Sequence, residues 1–82
     1  MRSIEDDIKW LQTQLTVARW HLDAAIAAPI AMARRNIDRA RQAYEAAREA
    51  FKELDLTGER QQAFAEELKH IRERLQSAGA EV

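Results

Sequence analysis

Glu67 and His70 are the residues of this chain whose types and spacing most invite metal chemistry. On a helix, residues three apart share a face, and a glutamate and a histidine so placed can hold one ion. In four-helix carboxylate di-metal proteins two such motifs and two further glutamates converge inward. Here there is a single copy, and Leu68 beside it belongs to an apolar stripe. That frame turns Glu67 and His70 away from a core. His21 has no acidic residue three or four positions before it. We therefore expect no metal site, with His70 at the surface near Glu66 and Glu67. Catalysis lacks an anchor as well. There is no cysteine, no glycine-rich phosphate loop, and the serines, Ser3 and Ser77, fall at expected helix ends. The expectation is a non-enzymatic chain without a cofactor.

Arg34, Arg35, Arg39, Arg41 and Arg48 form the second chemical grouping, and Arg34, Arg41 and Arg48 are seven apart. Guanidinium groups in a line suit phosphate, so a nucleic-acid-associated protein using Arg34, Arg35, Arg39 and Arg41 is the alternative reading. Against it, Asp38, Glu45 and Glu49 are interleaved, and residues 29–54 carry a net charge of only +2. The whole chain balances 13 Lys+Arg against 14 Asp+Glu, so no strong field steers nucleic acid or an anionic membrane toward it.

Trp10 and Trp20 form the third grouping. With Thr13, Val17, Ala24 and Ala27 they recur in steps of three and four. That is one face of a helix. A different stripe runs through the same segment: Ile4, Ile8, Leu11, Leu15, Ala18, Leu22 and Ala25. At 100° per residue the two stripes lie roughly 160° apart. One stripe is enough to reach a small core. The tryptophan stripe is then expected to be a protein interface, formed by Trp10, Val17, Trp20, Ala24 and Ala27. Two-fold homodimers are the commonest oligomers, so a dimer is the expected partner arrangement, with another protein as the alternative.

Two glycines, one proline and abundant Ala, Glu, Arg, Gln and Leu predict an almost wholly helical chain that forms one domain over residues 1–82. Ser3 reads as an N-cap before acidic Glu5, Asp6 and Asp7, and the first helix spans about 3–27. Pro29 is welcome in a first turn and disruptive inside a helix, so a second helix is expected over 29–54. Its stripe is Ile30, Ala33, Ile37, Ala40, Tyr44, Ala47, Phe51 and Leu54. Asp55-Leu56-Thr57-Gly58 is a turn. The third helix covers about 59–77, with Gln61, Phe64, Leu68, Ile71 and Leu75 inward and Gly79 as its stop. Ala80, Glu81 and Val82 are expected to fray.

Facing residues of antiparallel helices share a constant sum of sequence numbers. The stripes satisfy this with loops centred at Ala27-Ala28 and Thr57-Gly58. The implied layers are Ile4/Phe51/Phe64, Ile8/Ala47/Leu68, Leu11/Tyr44/Ile71 and Leu15/Ala40/Leu75. The same pairing sets Arg48 near Glu66 and Arg41 near Glu73. The fold is therefore expected to be an all-α, antiparallel up-down-up three-helix bundle with coiled-coil-like heptad packing. The alternative is one long helix kinked at Pro29 plus a shorter helix, in an oligomer. The first hairpin should outrun the third helix, leaving Leu22, Ile26, Ile30 and Met32 as a possible contact at its tip. The longest apolar run, Ala24–Ala33, is half of what a membrane span needs. Acidic residues soon after Met1-Arg2 do not suit a signal peptide. A cytoplasmic protein without membrane contact is expected.

Overall fold

The computed structural model describes residues 3–82. Three helices hold most of them: α1 (Ile4–Ala27), α2 (Ile30–Glu53) and α3 (Gly58–Ser77), with no strand among the described residues. α1 packs against both α2 and α3, giving an all-α three-helix bundle. Only Ala28 and Pro29 separate α1 from α2, so these two helices, packed side by side, run antiparallel. Glu5, Arg19 and Asp23 of α1 meet Arg60, Glu67 and Arg74 of α3 in ascending order, so α3 runs parallel to α1.

Each boundary has a local cause. The Ser3 hydroxyl accepts a hydrogen bond from the Asp6 N–H at 3.2 Å, and Glu5, Asp6 and Asp7 sit at the positive end of the α1 dipole. At the other end of α1, Ala28 precedes a proline, which disfavours helical backbone, and it adopts φ −92°, ψ 154°. Pro29 follows with φ −58°, ψ 155°. Two successive extended residues reverse the chain, so Pro29 lies in a turn and no continuous kinked helix forms. Pro29 stands one position earlier than expected, as the cap of α2 and not its first residue. Its carbonyl accepts the first α2 hydrogen bond from the Ala33 N–H at 2.8 Å.

Gly58 opens α3 with φ +66° and Gly79 closes it with φ +90°, where an L side chain would be strained. The Gly79 N–H donates to Gln76 O and the Ala80 N–H to Leu75 O, both at 3.0 Å. This pair of bonds is a Schellman motif, and it ties off α3. The residues beyond it do not fray free in this structure. Ala80 and Val82 pack against the core, and Gln76 Nε2 reaches Val82 O at 3.5 Å. Apolar side chains so close to a tied helix end gain by folding back.

The core holds Ile8, Leu11, Leu15, Ala18 and Leu22 from α1, Ala40, Ala43, Tyr44 and Ala47 from α2, and Phe64, Leu68, Ile71 and Leu75 from α3. Small side chains on α2 let its backbone approach α1 closely, while large ones hold α3 further out. The layers from Ile8 to Leu75 are thus built from the expected residues, and Ala43 joins them. The end layer is different: Ile4 is exposed and Phe51 only half-buried, so the described residues cover that end of the bundle incompletely. Gln61 is exposed too.

Candidate protein-docking face

The tryptophan stripe lies on the side of α1 away from its core stripe, with Trp20 the more exposed indole and Trp10 and Val17 bordering α2 and the core. Trp10 is 41% exposed and Trp20 65%. Val17 is half-buried and reaches back to the core, Ala24 is half-buried, and Ala27 is exposed. Over the ten residues between them, the two indoles stand about 15 Å apart along the axis. Together they leave about one whole tryptophan's surface in water, on the order of 150–250 Å².

The two indoles sit in different surroundings. Trp10 lines a groove toward α2, with Ala46, Ala50 and Leu54 as apolar lining and Asp7, Glu49 and Glu53 as acidic lining. Trp20 meets the His21 ring edge-on, with centroids 4.9 Å apart and planes at 70°. His21 is in turn held by α2. It is 8% exposed, and its Nδ1 lies 2.9 Å from Asn36 Oδ1, so the Nδ1–H tautomer donates to the amide oxygen. A chain of contacts, Asn36 to His21 to Trp20, therefore fixes one end of the stripe to the hairpin. No buried side-chain N or O among the described residues lacks a partner.

The His21–Asn36 pair is absent from the sequence reading above. Its signal was present. The antiparallel register that places Leu15 opposite Ala40 continues toward the α1–α2 turn and brings positions 21 and 36 to one flank of the same hairpin. A lone histidine beside a leucine gave no reason to look there.

The remaining candidates are dispersed. Leu22, expected at the exposed tip, is a core residue at 4% exposure, because α3 reaches far enough for Ser77 and Ala78 to line a groove with it. Ile26, Ile30 and Met32 are exposed at the α1–α2 tip. Arg34, Arg35 and Arg39 are exposed on α2. Arg41 pairs with Glu45 on its own helix at 3.8 Å, so its expected approach to Glu73 is not what forms. Arg48 and Glu66 make no ion pair with each other among the described residues. The carboxylates and cations of α3 turn to α1 instead: Arg19–Glu67 at 2.9 Å, Arg74–Asp23 at 2.7 Å and Arg60–Glu5 at 3.8 Å. These exposed pairs set register more than stability, at about 0–1 kcal/mol each. Asp38 and Glu81 border the same groove as Arg34 and Arg41, so acid and base alternate there. Glu67 is committed to Arg19 and His70 is exposed. Among the described residues, no group of three or more His, Asp or Glu side chains is placed to hold a metal ion, and no helix is long and apolar enough to cross a membrane.

No protein-family model, curated protein sequence or solved structure matches the chain.

Proposed function

We propose that this chain is a non-enzymatic protein-docking module, an accessory subunit or small protein inhibitor that works by contact through the tryptophan face of α1. The observation that carries the reading is the pair of exposed indoles on the side of α1 opposite its core stripe. Tryptophan is among the residues that most often dominate binding energy at interfaces, because it buries a large rigid surface at small entropic cost. Ala24 and Ala27 extend the face and admit a close approach. Trp20 is braced through His21, so little ordering is left for the partner to impose. A chain without cysteine suits a reducing compartment, and we place the module in the cytoplasm.

The test is site-specific photo-crosslinking in the native host. A photoreactive residue at Thr13, in the middle of the stripe, is compared with one at Arg72, exposed on α3. Discrete adducts at position 13, absent at position 72 and retained at high salt, are expected. No adduct at 13, or the same set at both positions, overturns the reading. Adducts to nucleic acid that vanish with salt would replace it with the phosphate-binding alternative.

A further inference from the structure

We infer that the occupant of the tryptophan face is a second copy of this chain, docked antiparallel about a two-fold axis that crosses α1 between Ala18 and Arg19. The inference rests on the docking reading above and names its partner.

The chain's own last residues are excluded as occupant, since Ala80 and Glu81 lie with Ile37 and Arg41 on the other side of the bundle. Shape then selects the arrangement. Positions 10, 13, 17, 20, 24 and 27 alternate steps of three and four, so two antiparallel copies can be set in register only at heptad intervals. One register pairs all six positions with one another. Trp10 faces the partner's Ala27, Thr13 faces the partner's Ala24, and Val17 faces the partner's Trp20. Each indole then meets a smaller side chain, as close packing requires. A shift of one heptad one way sets indole on indole and brings Asp6 into the stripe opposite the partner's Ala24, and a shift the other way leaves Trp10 beyond the end of the partner's α1. A parallel pair stacks each residue on its own copy, indole on indole again.

Charge agrees with shape. Glu5, Asp6 and Asp7 form the first turn of α1. A parallel pair would bring both acidic turns together. The antiparallel pair separates them and puts each at the same end as the other copy's hairpin tip. There α2 begins without an acidic residue in its first turn, and Arg34 and Arg35 are exposed. The antiparallel helix dipoles also oppose favourably. In area, two copies contribute about 300–500 Å² of indole. That is a quarter or more of the roughly 1,200 Å² buried by the smaller stable interfaces. The backbone-close alanines and the helix flanks supply the rest.

Two experiments on the full chain test this. In sedimentation equilibrium, Ala27→Trp should raise the dissociation constant about tenfold or more, since it fills the space Trp10 enters. Adding Trp10→Ala to that variant exchanges large for small and should restore pairing. Ala27 is exposed, so circular dichroism should show the helices unchanged. The absence of native cysteine permits single spin labels at Lys9→Cys and Thr16→Cys. At 1.5 Å per residue, the inferred register separates two labels at position 9 by about 30 Å and two at position 16 by about 10–15 Å. Short distances at both positions mean a parallel pair and overturn the inference. So does about 20 Å at position 9, which is the shifted register. A monomer at all concentrations overturns it as well. If that monomer still gives specific adducts at position 13 to another protein, the docking reading stands and only its self-partner falls.

Discussion

Enlarging the two fully buried alanines of α2 should destabilise the bundle measurably. Ala40 and Ala47 have no exposed surface, and they stand on the buried face of α2, the helix that packs most closely on α1. Leucine adds three carbons at each position. If room existed, burying them would stabilise by about 0.8 kcal/mol per methylene. Helices this close have no such room, because the alanines are what sets their separation. The extra carbons must push α1 away from α2 or enter strained rotamers, which costs about 1–3 kcal/mol. For a chain of this size that lowers the melting temperature by about 5–20 °C. Ala63→Leu is the control, being an exposed alanine in the interior of α3 with nearly the same helix propensity change. It should move stability by less than about 0.5 kcal/mol. Thermal melts followed by circular dichroism compare the three. Equal melting temperatures for Ala40→Leu, Ala47→Leu and Ala63→Leu would refute the close α1–α2 packing on which the fold rests.

Pro29→Ala removes the pre-proline restraint on Ala28 but should leave helix content and scattering profile unchanged, because the side chains buried between α1 and α2 hold the hairpin together; an elongated particle would mean that proline alone breaks α1 from α2. Asn36→Leu should cost about 1–3 kcal/mol by leaving the buried His21 Nδ1 without its acceptor, and His21→Leu should strand the half-buried Asn36 amide at a smaller cost, since water reaches it. In urea melts the double variant should lose clearly less than the two single losses added, and Trp20 emission should shift in every variant that releases the His21 ring. Simple additivity would show that the two groups do not depend on each other. Gly79→Ala should destabilise by about 1–2 kcal/mol through its left-handed backbone. No atom would obstruct the added carbon, so a D-alanine at that position should retain stability, and loss with both would point to packing instead.

The parts of the fold that follow from side-chain periodicity were readable in advance. Ile8, Leu11, Leu15, Tyr44, Leu68, Ile71 and Leu75 recur at helical spacing and are buried. The two turns carry their own chemistry, a pre-proline alanine and a left-handed glycine. What escaped is what depends on neighbours across helices. Leu22 falls both on the core stripe of α1 and at the expected tip, and only the reach of α3 decides that it is buried. Arg41 has acidic residues available on two helices, and periodicity does not say which it meets. The His21–Asn36 bond joins two polar residues that are unremarkable in their own segments and matter only because the hairpin brings them together. At the candidate face the position of the indoles opposite the core was legible, while the bracing of Trp20 by His21 and the groove beside Trp10 needed the packed helices.

The most direct measurement is acrylamide quenching of tryptophan fluorescence as a function of protein concentration. Trp10 and Trp20 are the only indoles in the chain, and both lie on the face in question. If that face is where a second copy docks, quenching should be strong at nanomolar concentration and should fall severalfold as the chain is concentrated to tens of micromolar. An Ala27→Trp/Trp10→Ala chain, which keeps the pairing geometry, should show the same fall. Quenching that stays strong and constant across the whole range would mean that the indoles remain in water, and the self-docking face would be contradicted.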